Sequence, residues 1–445
     1  MKPRQDPLQG SRYPSILLQV LAAGLGLSVV IAWAAASYFG VDVPASLVWP
    51  GEDGFCDAPS QGLGAHCFSD IALYLSAGPS LVPEDPGLVQ YVSNQAPVNR
   101  LLLLIFQTLA TLIGFRATLV IYVTVSAAAL LAPALWVVWR RSRHQSAVTL
   151  LLTAVATIPF LAVLDRGNTI VFAIPLILIF VVALWREQNW WAVGAIAAAS
   201  QIKPQLGLIV VAFFVLRRVR MGLIALVISG VIFVSSFAIF ALPGSTSSPL
   251  QEFKRFVLFS QVRGSYLPLD ADYPANVSFQ KVIFEIGNGL LGLSLSAATI
   301  QTGLLALTAM VIVALIWRGR EIPYPIWIAA ILMASALVVA VTFIYYYALV
   351  LVVVAVLMRN EDFAFHPKKS PVVSGVLSAA VVFSLTPLLI PGGWAEAPVP
   401  TRANGVVVSL LPYIASATWL LLVLGVGAWV VLRSATTSKD LMVSD

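Results

Sequence analysis

The sequence predicts an all-α, polytopic integral membrane protein. It reads as a single membrane domain over residues 1–445, with about 11–13 transmembrane or re-entrant helices, a full crossing taking about 20 apolar residues. Three observations predict this. Of the 445 residues, 59% are hydrophobic and 10% are charged, against about 25% charged in soluble domains. Apolar runs of crossing length recur along the chain. The charges that remain sort by side: about two thirds of the 26 Lys and Arg fall in one set of loops, and about two thirds of the 20 acids fall in the other. A soluble enzyme, a disordered chain and a collagen-like fibre are excluded, because too few charges exist to coat a water-facing surface. The net charge of +6 therefore reports on loop placement and not on nucleic acid.

Taken in order, Ile16–Phe39 is the first run, with Lys2, Arg4 and Arg12 ahead of it. It is too long for a signal peptide and has no small-residue cleavage site, so it reads as an anchor. Val98–Gly114, between Pro97 and Phe115, is short for a crossing and suits a helix lying on or dipping into the outer face. Ala117–Trp139 ends in Arg140, Arg141 and Arg143. Ala147–Leu164 and Thr169–Trp185 flank a short polar turn, Asp165-Arg166-Gly167-Asn168. Met221–Leu242, Leu290–Trp317, Pro371–Ile390 and Val406–Leu432 read as further crossings. Two stretches resist a single crossing. Asn189–Leu216 is interrupted by Gln201-Ile202-Lys203-Pro204-Gln205, where proline cannot cheaply continue the preceding helix. Tyr324–Met358 is interrupted by Thr342-Phe343-Ile344-Tyr345-Tyr346-Tyr347. Each predicts two short helices meeting at an apex, a device tolerated at membrane depth only inside protein or beside a wet cavity and often found at binding sites.

The positive-inside rule puts both termini in the cytoplasm and the two long loops, residues 40–97 and 243–289, outside. A plasma-membrane protein that places its polar sequence on the outer face is expected to work there. The first loop holds Cys56, His66, Cys67 and Asp70. Cys56 and Cys67 on an oxidising face suit a disulfide, although two isolated cysteines need not be bridged. One His and two Cys fall short of a metal site, which takes three or four ligands in spaced pairs. Asp70, Leu73, Tyr74 and Ala77 share a helical face. Asp70 is either a cap or surface carboxylate, or a general base within reach of a hydroxyl.

Arg166 lies in the polar turn close to lipid, where a charge is costly unless paired. It either pairs with Asp165 or grips a phosphate in bidentate fashion. Lys203, mid-hairpin with no neighbouring acid, either snorkels to the interface or meets a lipid-linked phosphate. Asn276-Val277-Ser278 suits a helix start, with Asn276 as its cap. The tyrosine apex is either interfacial or lines a sugar site. No Walker loop, Gly-rich dinucleotide turn or Ser/His/Asp order is present. The energy for a reaction on the outer face must then reside in a lipid phosphate.

The order of an acidic first-loop motif, an Arg-Gly-Asn turn, a Lys-Pro apex, an Asn-x-Ser loop and a late aromatic apex resembles the polyprenyl-phosphate-dependent glycosyltransferases of the GT-C fold. It is most similar to the actinobacterial α-mannosyltransferases and arabinofuranosyltransferases with a DUF2029 domain, the GT87-type family. The resemblance covers roughly residues 66–358. It implies Asp70 as catalytic base, with Tyr74 at the following aromatic position. It implies Arg166 and Lys203 on the donor phosphate, with Asn168, Asn276, Tyr346 and Tyr347 as substrate-binding residues. Many mannosyl members carry histidines where this chain has Tyr346 and Tyr347, and arabinofuranosyl members carry a tyrosine pair. The stretch after the first loop, usually Tyr-Pro-Pro, reads Gln95-Ala96-Pro97 here. The expected reaction moves mannose or arabinofuranose from a polyprenyl-phosphate donor to a glycolipid or glycan acceptor beside the lipid bilayer, with no cofactor and no metal. The competing class is a lipid or polysaccharide transporter or flippase, which also suits broken helices; a lesser one is a cell-envelope scaffold.

Overall fold

The computed structural model describes residues 13–39, 71, 97–139, 154–238, 248–251, 253–254, 256, 276–339, 342–359, 363, 371–386, 388, 390–395 and 406–442. Asp70, Tyr74, Cys56, His66 and Cys67 lie outside the described residues, as do the side chains of Asp165 and Arg166.

The fold is a helical bundle, as an apolar chain in lipid must be, because a helix satisfies its own backbone. Among the described residues four helices are long and apolar enough to cross a membrane: Phe115–Trp139, Val219–Ser236, the helix beginning at Ala297, and Leu411–Leu432. Around them stand shorter apolar helices. In chain order the elements used below are α1 (Tyr13–Phe39), α2 (Pro97–Ile113), α3 (Phe115–Trp139), α4 (Ile158–Arg166), α5 (Ala173–Trp185), α6 (Asn189–Ile202), α7 (Val211–Val215) and α8 (Val219–Ser236). They continue with α9 (Phe279–Phe284), α10 (Ala297–Arg318), α11 (Tyr324–Leu337), α12 (Val350–Met358), α13 (Pro371–Leu385) and α14 (Leu411–Met442).

Several boundaries move from the sequence expectation. Of the run expected over 147–164, residues 147–153 lie outside the described residues, and the described part is interrupted at Ala156 and Thr157 before α4 starts at Ile158, where Thr157 is extended and Pro159 sits in the first turn. The run expected from Leu290 becomes a spanning helix at Ala297, because Ser296 caps it by accepting from Thr299 N at 3.1 Å. Val406–Ser409 is a strand paired antiparallel with Pro391–Ala395, and the last helix begins after it. A β-branched run of three valines between turn signals is as good a strand as a helix start. Val98–Gly114 resolves into α2. Its 17 residues span about 25 Å at 1.5 Å per residue, short of a full crossing. Gly114, at φ 89°, turns the chain, and α2 packs back on α3 with Phe106 edge-on to Tyr122 at 4.9 Å.

Both interrupted stretches are broken where expected. Asn189–Leu216 forms α6, a 3₁₀ turn over Pro204–Val210, and α7. Tyr324–Met358 forms α11, a 3₁₀ turn over Ile344–Leu349, and α12. The second hairpin lies deep in the bundle: every residue of α11 and α12 is buried.

The end of the bundle away from these apexes is fastened by arginines. The turns after α5 and α7 each contain a left-handed residue, Glu187 at φ 62° and Arg217 at φ 60°. Helix C-termini leave carbonyls without partners, and guanidinium groups fill that role. Arg218 donates to Leu184 O at 2.7 Å, to Asn189 Oδ1 at 3.0 Å and to Glu187 at 2.9 Å. Arg217 donates to Trp317 O at 2.7 Å, and Arg320 donates to Leu216 O and Val215 O. Trp139, Trp190, Trp191 and Trp317 stand exposed at this same end, as an interfacial aromatic belt does.

Candidate functional site

The opposite end gathers the chemistry. Pro204 explains the geometry of Lys203. A residue before proline is driven out of the α region, and Lys203 is extended at φ −137°, ψ 102°. Its N–H still closes the last turn of α6 on Ala199 O, while its carbonyl accepts from Leu206 N at 2.9 Å to start the next turn. The apex is tied down by Gln201, whose Nε2 donates to Ala197 O, Ser200 Oγ and Ser229 O of α8. The half-buried lysine side chain then reaches over the ring of Tyr346, Nζ lying 5.8 Å from the centroid. The neighbouring Gln205 donates to the Tyr346 hydroxyl at 2.5 Å. A cation over an aromatic face is attracted by the negative face of the ring.

The aromatic apex is built by the second loop. Asn276 Oδ1 accepts from Ser278 N at 3.2 Å and from Thr342 N at 3.1 Å. Val277 N donates to Thr342 O at 2.6 Å, and Asn276 bridges to Phe343. Ser278, not Asn276, caps α9, its hydroxyl accepting from Lys281 N at 3.2 Å. The Asn-x-Ser motif is therefore a clamp that pins residues 342–343 to the loop. From there Phe343, Tyr345 and Tyr346 form a continuous stack with centroids 5.3 and 5.2 Å apart.

The structure divides the expected tyrosine pair. Tyr347 is 1% exposed, and its hydroxyl meets Pro412 O and Ser416 Oγ of α14, each at 2.6 Å. Ser416 in turn donates to Val277 O at 2.5 Å. Tyr347 thus holds bundle and clamp together, while Tyr346 faces Lys203 and Gln205.

The Arg-Gly-Asn turn joins this assembly from a third side. The chain bends by 118° between Ile158–Leu164 and Thr169–Trp185. Gly167 provides the left-handed residue, at φ 65°, that ends α4. Asn168 caps the following turn, its Oδ1 accepting from Ile170 N at 3.0 Å. Helix α4 packs against residues 344–349, and the turn over Thr169–Phe172 touches both that segment and α6. Gly167 is also where Ile71 docks. A Cβ there would stand 2.4 Å from Ile71 Cγ2, so the glycine's missing side chain is the space Ile71 occupies. Ile71 is fully buried with Leu103, Phe106, Leu119 and Tyr122, and it is the residue that follows Asp70.

Sequence reasoning missed Tyr122. Its hydroxyl donates to Gly167 O at 2.7 Å from α3, while its ring packs edge-on to Phe172 at 5.9 Å. A tyrosine in an otherwise apolar span was the available signal, because a buried phenol needs an acceptor. Gln205 and Thr342 were visible only as members of their motifs. Among the described residues no cluster of three or more His, Cys, Asp or Glu suits a metal ion.

What converges here is a cation beside an aromatic stack, with a glycine turn that packs on the same apex and carries Ile71 against it. Such a site suits an anionic group linked to a ring-shaped substrate. A family model, Glycosyltransferase family 87, matches residues 97–342, just over half of the chain. No curated protein and no solved structure matches.

Proposed function

The chain belongs to glycosyltransferase family 87 and is accordingly a membrane glycosyltransferase, and from that premise we propose that it transfers mannose or arabinofuranose from a polyprenyl-phosphate donor to a cell-envelope glycolipid or polysaccharide. The arginine-fastened end faces the cytoplasm and the site faces outward at the plasma membrane. Asp70 takes the proton of an acceptor hydroxyl as that oxygen attacks the anomeric carbon. The bond from that carbon to the phosphate oxygen breaks, its electron pair stays on the phosphate, and the configuration inverts. Arg166 and Lys203 hold the charge that grows on the leaving group, where fixed cations gain most. Tyr346 offers a ring face to the sugar, and Tyr74 and Asn168 complete its surroundings. Asn276 acts by fixing the apex, and Tyr347 by anchoring it.

The observation that carries this reading is the contact of Ile71 with Gly167. It holds Ile71, the residue after Asp70 in the sequence, on the glycine of the Arg-Gly-Asn turn across nearly a hundred residues of chain, at the end of the bundle that holds Lys203. Transfer needs base and phosphate grips around one anomeric centre.

The test is transfer of radiolabelled sugar from a synthetic short-chain polyprenyl-phosphate donor in membranes. Asp70→Asn keeps shape and removes the base, so turnover should fall by about 10²–10⁴, the usual worth of a positioned acid–base group. Transfer near the wild-type rate by purified Asp70→Asn would overturn the assignment of the base.

A further inference from the structure

We infer that the segment between α9 and α10, residues 286–293, is a membrane-penetrating loop that inserts into the leaflet on the site side and fixes the height of the bilayer against the site. Ile286, Leu290, Leu291 and Leu293 are 44%, 78%, 62% and 47% exposed. Four large apolar side chains exposed within eight consecutive residues are a concentration that the scattered exposure of an ordinary soluble surface does not show.

The loop is held in this shape by its own bonds. A π-helical turn over Glu285–Leu290 brings it out of α9. Asn288 then closes a ring on Leu295, accepting from its N–H at 2.8 Å and donating to its carbonyl at 2.9 Å. Leu293 N donates to Gly287 O at 2.8 Å, and Gly292 takes φ 66°. A braced loop that presents leucines outward loses little conformational freedom when they are buried.

Its occupant follows from its height. From Ala297 to Trp317 helix α10 rises about 30 Å at 1.5 Å per residue, about the thickness of the hydrocarbon core. Trp317 belongs to the aromatic belt of the arginine end, so Ala297 stands at the opposite boundary, and the loop that precedes it lies at that interface. From Ile286 to Trp317 the sequence carries no charged residue. The last charges before it, Lys281 and Glu285, pair at 2.6 Å. The loop thus continues the lipid-facing surface of α10, and acyl chains are the partner of matching chemistry. Through α9 and the Asn276 clamp it is joined to the aromatic apex, which is how bilayer height reaches the site.

The experiment places the photocrosslinking residue p-benzoylphenylalanine at position 290, 291 or 293 of the full chain, reconstituted in phosphatidylcholine–phosphatidylglycerol vesicles. Gln188, in an exposed turn of the arginine end, serves as the reference position. Mass spectrometry should find phospholipid adducts at the three loop positions in severalfold excess over position 188. Absence of that excess, or chain-to-chain crosslinks in its place, would overturn insertion, the latter in favour of a contact between copies. This readout is independent of the transferase reading. The claim about height rests on that reading and has its own measurement. The triple variant Leu290→Ser, Leu291→Ser, Leu293→Ser should lose transfer severalfold with a long-chain donor embedded in vesicles and keep it with a short-chain donor. Equal rates with the long-chain donor would refute the role in height while leaving transfer itself intact.

Discussion

Replacing Gly167 with alanine loads two separate costs onto one turn. The first is conformational: a non-glycine residue at φ 65° lies in the left-handed region, at about 1–2 kcal/mol. The second is steric. The new Cβ would stand 2.4 Å from Ile71 Cγ2 and 3.3 Å from Ile71 N, so both the side chain and the backbone of Ile71 must retreat. Ile71 is fully buried among Leu103, Phe106, Leu119 and Tyr122, and forcing a well-packed core to shift costs about 1–3 kcal/mol. Gly114 supplies the control. It sits at φ 89° with nothing within 4 Å of where a Cβ would be, so Gly114→Ala carries the first cost without the second. Both variants gain the same small amount from a stiffer unfolded chain, about 0.4–1 kcal/mol, which cancels in the comparison. Gly167→Ala should therefore be less stable than Gly114→Ala by about 1–3 kcal/mol, read as a lower thermal inactivation midpoint in one detergent. Because Ile71 is one peptide bond from Asp70, transfer by Gly167→Ala should fall further than that of Gly114→Ala at temperatures where both remain folded. If the two alanine variants are equally stable and equally active, the packing of the first loop on this turn is not what positions the site.

Other outcomes follow from the same geometry. Lys203→Ala should raise KM for the lipid-phosphate donor more than KM for the acceptor, and an equal rise for both would argue against a phosphate role. Tyr346→Phe, which releases Gln205, should reduce transfer with little change in thermal stability. Tyr347→Phe should do the reverse, losing about 1 kcal/mol for a buried hydrogen bond with KM unchanged; interchanged results would reverse the two assignments. Asn276→Ala strips acceptors from the N–H groups of Ser278 and Thr342, so it should cost about 2–6 kcal/mol, at about 1–3 per orphaned group. Faster limited proteolysis around residue 342 would report it, and an unchanged digest would contradict the clamp.

The bundle itself was legible in the sequence because lipid leaves little choice. A chain with these apolar runs must form helices, and Pro204 must end α6, since a proline acts on its immediate neighbours whatever the tertiary setting. The Lys-Pro apex and the aromatic apex were found for this reason. Boundaries were less legible where local preferences tie, as at Val406–Ser409, a strand, and at Leu290–Ser296, where Asn288 and Ser296 hold the chain out of the helix until Ala297. The Asn-x-Ser motif was located but its parts were exchanged: Ser278 caps the helix and Asn276 reaches across to Thr342, a partner no local window contains.

By itself, then, the sequence determined what depends on solvent and on near neighbours: an apolar all-helical membrane protein, the two breaks, the side on which arginines collect, and the short motifs. Only the tertiary structure decided which of those motifs meet. Tyr346 and Tyr347 are adjacent and chemically alike, but a 3₁₀ turn of three residues points them about 120° apart, so one faces Lys203 and the other α14. Ile71 fits Gly167, and Tyr122 holds the carbonyl of that glycine, through packing between distant segments, which shape and volume specify and no periodicity encodes.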